Sequence, residues 1–204
     1  MIWTMEAEPP FDRRDILRYM RADADAADAL QECIDSCRGL MKRQVLYDVY
    51  PVEIVGDQAD LGFAKVRSLD LARALSGCSH AVLFAATAGF AFDRLIAGAQ
   101  MVSPLRGLMF HAIGAERAEA LCDAFCAYVQ MQAAKHGLKT RPRFSPGYGD
   151  LPLDMQADIQ RALCLEKIGI SLDGHMLMRP SKSVTALIGL CPESAKESGV
   201  NGVV

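Results

Sequence analysis

The amino-acid sequence predicts an α+β fold in a single domain. Three observations predict it. Helical and strand-like periodicities follow one another in irregular order, not in strict alternation. The length, 204 residues, suits one domain of ordinary size. No internal repeat, low-complexity tract or linker divides the chain. Hydrophobic residues make up 51% and charged residues 23%, a globular balance able to bury a core without disulfide staples or a structural metal.

The elements follow in order. Residues 1–10 look like a loose N-terminal arm. Asp12 suits the N-cap of a helix carrying Ile16, Leu17, Tyr19 and Met20. Leu30, Cys33, Ile34, Cys37, Leu40 and Met41 recur at helical spacing, which predicts an amphipathic second helix. Tyr47–Val55 is β-rich and ends at the turn dipeptide Gly56-Asp57. Ser68 suits the cap of a short helix that stops at Gly77. Ala81–Thr87 is a continuous apolar run, as a strand buried on both faces requires. A helix from Phe90 to Met101 follows Gly89. Ser103-Pro104 opens a long helical stretch towards Gly137, with a break expected at Gly114. Met155, Ile159, Ala162 and Leu163 mark another helix, ending near Gly169. Met176–Met178 and Ser183–Leu190 read as strands. Residues 192–204 have the composition of a flexible tail.

Charge and composition exclude several functions. The formal net charge is −3, against the basic surface of a nucleic-acid-binding module or a polybasic membrane anchor. The longest apolar run, Ala81–Phe92, is shorter than the roughly 20 residues needed to span a bilayer. The first residues lack the basic and apolar regions of a secretory signal. The seven cysteines are odd in number and scattered, which predicts reduced thiols in a cytoplasmic protein.

Familiar catalytic and metal motifs are missing. Neither a dinucleotide fingerprint, a Walker A loop, a G-x-S-x-G elbow nor H-E-x-x-H occurs. Cys33/Cys37 and Cys122/Cys126 are each spaced to share a helix face, where they serve as small core hydrophobes and not as a zinc set. Asp173-Gly174-His175 reads as a hairpin turn. His80, His111 and His136 lack local carboxylate partners, so no metal site is expected.

Arg141–Pro152 (RPRFSPGYGDLP) differs from the rest. Its prolines fix a backbone path, and its glycines allow a ligand close to main chain. Arg143 offers a planar fork that matches a carboxylate. Tyr148 offers a flat ring with a polar tip. Arg141 falls on the same side as Arg143 if the segment is extended. A rigid surface loop with a solvated arginine is the alternative on chemistry alone.

Arg143-Phe-Ser-Pro-Gly-Tyr148 resembles the Arg-x-x-Pro-Gly-Tyr motif in the activation domain of cobalamin-dependent methionine synthase. Downstream, Arg179-Pro-Ser-Lys-Ser-Val184 is similar to that family's Trp-Pro-Gly-Ala-Ser-Val segment, sharing Pro180, Ser183 and Val184. The resemblance covers roughly residues 141–190, with weaker similarity over 118–130. Asp12–Tyr19 and the Ala-Ala-Thr87-x-Gly89 segment resemble small free-standing relatives of that domain.

The resemblance implies one such domain over residues 11–191, with a mixed or antiparallel sheet and flanking helices. It implies a cytoplasmic methyltransferase component that reactivates a cobalamin (vitamin B12) enzyme of methionine biosynthesis. S-adenosylmethionine (SAM) would give its methyl group to cobalt held by a partner methyltransferase, and a small redox protein would supply an electron. Arg143 would contact the SAM carboxylate, Tyr148 would reach towards the corrin, and Ser145, Pro146 and Gly147 would shape the adjoining wall. Family members have an aspartate beside Trp-Thr that helps hold SAM. Here Ile2 precedes Trp3-Thr4, and Asp12 is the candidate substitute. The family's tyrosine beyond the Ser-Val strand has no counterpart after Tyr148. A module that binds a corrinoid protein without SAM is the alternative.

Overall fold

The computed structural model describes residues 1–21 and 27–193. From residue 194 onward, the expected tail lies outside the described residues. In chain order, β1 (Ile2–Thr4) precedes α1 (Arg13–Met20), α2 (Ala27–Cys37) and β2 (Gln44–Pro51). Next come β3 (Glu53–Val55), β4 (Gln58–Asp60), β5 (Lys65–Arg67) and α3 (Leu69–Ala74). Then β6 (His80–Thr87), α4 (Phe90–Gln100), α5 (Pro104–Ala134) and β7 (Leu138–Thr140) follow. The last are α6 (Met155–Leu163), a 3-10 turn (Leu165–Ile168), β8 (Ser171–Leu172), β9 (Met178–Arg179) and β10 (Ser183–Pro192).

The main sheet has the order β1-β2-β6-β10-β7, with every neighbouring pair antiparallel. Strand β6 lies at its centre, which explains its unbroken apolar sequence. Val82, Phe84 and Ala86 face the core shared with α1, α2, α4 and α5, and Ala81, Leu83 and Ala85 face α6 and Leu71 and Leu75 of the α3 region. A small antiparallel meander, β3-β4-β5, extends the second layer. The expected hairpin at Asp173 is β8-β9, where the Asp173 carboxylate accepts from the amides of His175 and Leu177.

Local signals account for most element ends. Asp12 caps α1 by accepting from the Arg14 and Asp15 amides at 2.9 and 3.1 Å. Ser68 caps α3 by accepting from the Leu71 amide at 3.0 Å. Ser103 and Pro104 open α5 as expected. The break expected at Gly114 does not occur. A Cβ there would lie 3.1 Å from Phe92 Cδ1 and 3.0 Å from Lys182 Cγ, so the glycine admits close neighbours while the helix continues.

Two other expectations are corrected. The first ten residues are not a loose arm. Ile2–Thr4 pairs with β2, and Trp3 packs on Phe125 and Tyr128 with ring centroids 5.5 and 5.6 Å apart. Nor are all cysteines free thiols, because Cys78 and Cys191 form a disulfide with Cα atoms 4.1 Å apart. The register that pairs His80 with Leu190 brings them together across 113 residues of sequence, a proximity that spacing does not reveal.

A fully buried cation holds the N-terminal segment. Arg117, 0% exposed, donates Nε–H to Glu116 at 2.6 Å and Nη2–H to the same carboxylate. It also donates to the Pro9 carbonyl at 2.7 Å and the Pro10 carbonyl at 3.0 Å, and its guanidinium lies 4.0 Å from the Phe11 ring centroid. Glu116 accepts in addition from the Asp12 amide at 3.1 Å. Removing one partner of such a buried pair costs about 3–5 kcal/mol. Arg117→Leu is therefore expected to lower unfolding free energy by about that amount. Trp3 is the chain's single tryptophan, so its fluorescence should report release of the segment at lower urea than global unfolding. A variant with wild-type stability and unchanged Trp3 emission would contradict this role for Arg117.

Candidate functional site

The distinctive segment forms a strap between β7 and α6, along the free side of β10. Its path contains one extra residue. Thr140 pairs with Leu190, and the Arg141 amide donates to the Gly189 carbonyl at 2.8 Å. Phe144 then exchanges two hydrogen bonds of 2.9 Å with Leu187. Pro142 and Arg143 together therefore oppose Ile188 alone, which is a β-bulge at a sheet edge. Proline is tolerated there because no ladder donor is required.

The bulge decides where the two arginines go. Arg141 lays its stem over Gly189 on the α3 side, where a Cβ at Gly189 would lie 3.3 Å from Arg141 Cγ. Arg143 turns towards α5. Its Nη1 donates to Asp123 at 2.9 Å, and its Nη2 donates to Glu119. The expectation that both arginines share one side fails because the segment is bulged and not regularly extended.

Beyond Phe144 the strap is held by its own turns and by a contact to α3. The Gly147 amide donates to Leu151, and the Leu151 amide to Tyr148. Gly147 has φ +88°, a conformation that side chains disfavour. Gly149 has φ +55°, and a Cβ there would meet Asp70 Oδ2. The Asp150 carboxylate accepts from the Ser68 hydroxyl and from the amides of Leu69 at 2.7 Å and Asp70 at 3.2 Å. It thus satisfies orphan donors at the start of α3. The Ser68 hydrogen bond holds the Asp150 carboxyl below its ordinary 3.8. Burial works against that shift, and the Leu69 and Asp70 amides reinforce it.

A cleft of about 400 Å3 lies between the strap, α5, α6 and the start of β10. Arg143, Ser145, Pro146 and Tyr148 line it together with Ser183 and Val184. The two sequence segments that carry the family resemblance thus converge on one space. Gly147 shapes the turn but is not part of the lining. Tyr148 is 70% exposed at the mouth. The Thr87 hydroxyl accepts from Ser183 Oγ at 2.8 Å and from the Gly89 amide at 3.1 Å, tying the Thr87-x-Gly89 segment to the cleft.

Sequence reasoning missed Glu119, Gln156, Met178 and Thr185 as lining residues. Thr185 donates to Gln156 Oε1 at 2.9 Å within the buried wall. Glu119 and Asp123 are four residues apart on α5, and their spacing alone reads as a solvated helix face. The weaker similarity over residues 118–130 was the signal that included them. Tyr19 of α1 also comes near. Burial raises its hydroxyl pKa, with Glu119 and Tyr148 adding to the effect.

Cys122 and Cys126 face the same arginine. Burial pushes both thiols up, with Arg143 partly offsetting it. They remain protonated near neutrality and are poor nucleophiles. Asp12 is already engaged as a helix cap, so its expected role as substitute SAM ligand is not supported by its position. Among the described residues no group of three or more His, Cys, Asp or Glu is placed to hold a metal ion. No described helix is long and apolar enough to cross a membrane.

No family model matches the chain, and no curated protein matches it. Among solved structures, the crystal structure of the MetH reactivation domain bound to AdoHcy aligns with a TM-score of 0.59 at 17% sequence identity. The alignment covers 91% of this chain and 71% of that one. The chain therefore has the fold of that reactivation domain, an α+β arrangement around an antiparallel sheet.

The Asp150 contact predicts a pH effect with a definite sign. A carboxyl depressed in the folded state adds stability above its unfolded pKa and loses that contribution as pH falls through the folded one. Asp150→Asn is expected to lower the urea midpoint at pH 7 and to flatten its decline below the unfolded value of 3.8. Parallel midpoint-against-pH curves for the two proteins would contradict the assignment.

Proposed function

We propose that this domain binds SAM in the strap cleft and presents the methyl group to cobalt held by a separate corrinoid methyltransferase, most simply a methionine synthase. The observation that carries the reading is the convergence of Arg143–Tyr148 with Ser183-Val184 on one cleft. Its volume lies within the roughly 300–1,000 Å3 common for small-molecule sites. The fold of an AdoHcy-bound reactivation domain supports it.

The residues present suit the ligand. Arg143 has a guanidinium fork for the ligand carboxylate, and Glu119 has a carboxylate for its ammonium group. Leu153, Met178 and Val184 supply apolar wall. Tyr148, standing at the mouth, offers an open aromatic face to a corrin ring, and Tyr19 lies close by. SAM supplies an electrophilic methyl. One electron from a small redox protein would generate cobalt(I), whose electron pair forms the new bond to carbon while sulfur keeps the old bonding pair. The domain's contribution is positioning and exclusion of water, which is most of what such a reaction asks of side chains. A cytoplasmic setting belongs to the same reading. The role of a separate partner rests on the resemblance of Asp12–Tyr19 and Thr87-x-Gly89 to small relatives of the domain.

One feature favours a second reading. Arg143 is already paired with Glu119 and Asp123, so a ligand carboxylate must compete with both. A module that keeps the fold and binds a corrinoid protein without SAM would retain that pairing permanently.

Calorimetry with SAM separates the two. On the first reading wild type binds, and Arg143→Ala weakens binding by more than about 1.5 kcal/mol, the value of a charged hydrogen-bonded contact. Asp123→Asn removes an exposed competitor and strengthens binding. Wild type that fails to bind SAM, both alone and with a corrinoid protein present, would sink the first reading in favour of the second.

A further inference from the structure

Behind the wall made by Arg143 and Phe144, a second cavity of about 340 Å3 opens towards α3. Arg73, Ser76 and Arg141 complete its polar lining, and no carboxylate lies on it. Its three arginines differ in how their charge is met. Arg143 is neutralised by Glu119 and Asp123 from the α5 side. Among the described residues Arg73 has only an i,i+3 pair with Asp70 at 3.5 Å, with its side chain 70% exposed, the kind of surface contact that contributes little. Arg141 has no ion pair among the described residues. Its Nη2 donates to the Ser76 carbonyl at 3.3 Å, and its Nε is enclosed without an acceptor.

We propose that this cavity is a binding site for a phosphate group, free or carried by a small phosphomonoester. Two arginines among the lining residues, with no carboxylate on the lining itself and Asp70 only loosely paired to Arg73 at 3.5 Å, suit a tetrahedral oxyanion that accepts several hydrogen bonds at once. Positive charge here is local, because the chain as a whole carries −3. The volume exceeds what a bare ion needs and leaves room for the organic part of a phosphomonoester. Arg141 is held in place by the strand pairing before the bulge and by the Ser76 carbonyl. The cavity is therefore shaped by the same strap that forms the cleft, but it opens on the other side. The proposal does not depend on SAM being the cleft's ligand.

The test uses the whole chain at fixed ionic strength. Inorganic phosphate, ribose 5-phosphate and ribose are titrated in turn and followed by calorimetry and, for the phosphates, phosphorus NMR. Saturable binding of both phosphates with none of ribose is expected. Arg141→Met and Arg73→Gln should each weaken it by about tenfold or more, since each removes a charge-assisted contact. Tighter binding of the sugar phosphate identifies a phosphomonoester as the occupant, and equal affinities identify free phosphate. Absence of saturable binding, or binding that both variants leave unchanged, would overturn the proposal. Arg73→Gln alters an exposed side chain, so the test stands even if Arg141→Met fails to fold. SAM titrated into the same samples keeps the two sites apart, because either ligand can fail without the other.

Discussion

One extra residue in the strap, Pro142-Arg143 set against Ile188, determines the chemistry of both cavities. Without it, the ladder that runs from Leu138–Pro192 to Thr140–Leu190 would continue in register and carry Arg143 to the α3 face beside Arg141. With it, Arg143 crosses to α5 and Phe144 returns to the ladder opposite Leu187. The Arg143 guanidinium thereby meets the carboxylates of α5, while the Arg141 guanidinium meets the Ser76 carbonyl. Everything after Phe144 depends on that exit: the Gly147 turn, the exposure of Tyr148, and the arrival of Asp150 at the start of α3.

The surroundings keep this exit rigid from both directions. On one side Asp150 ties the strap to α3 through the Ser68 hydroxyl and two amides. On the other, the long helix α5 supplies Glu119 and Asp123, and its own position is set by burial against the sheet and by Arg117, which also holds the Pro9-Pro10 segment leading into α1. An uninterrupted α5 matters here. The glycine at position 114 lets Phe92 and the Lys182 turn approach, and Lys182 immediately precedes the Ser183-Val184 wall of the cleft. Packing far from the strap is in this way coupled to the shape of the site.

Much of this was legible in the sequence because the signals were local. The caps at Asp12, Ser68 and Ser103, the apolar run of β6 and the proline-glycine strap each state their own structure over a few residues. What escaped depends on distant partners. The N-terminal arm is short, and its order comes from partners far along the chain: β2 beside Ile2–Thr4, Phe125 and Tyr128 under Trp3, and Arg117 on the Pro9 and Pro10 carbonyls. The Cys78–Cys191 pair follows from strand register, not from spacing. The direction of Arg143 follows from a bulge that an extended reading of Arg141–Arg143 does not contain. Glu119 and Asp123 carry no motif of their own, and their part in the site follows from the strap lying against them. The site's centre was therefore readable as a motif, whereas its electrostatics emerged only from the fold.

The central claim is that the cleft delivers a methyl group to cobalt on a partner. The most direct measurement uses SAM labelled with a trideuterated methyl group, an inactivated corrinoid methyltransferase and a one-electron reductant, with mass analysis of the recovered cobalamin. Labelled methylcobalamin should form with the wild-type domain, fall sharply with Arg143→Ala, and be absent when the domain is omitted. Unlabelled cobalamin in a wild-type reaction whose SAM is shown to be bound would contradict the claim.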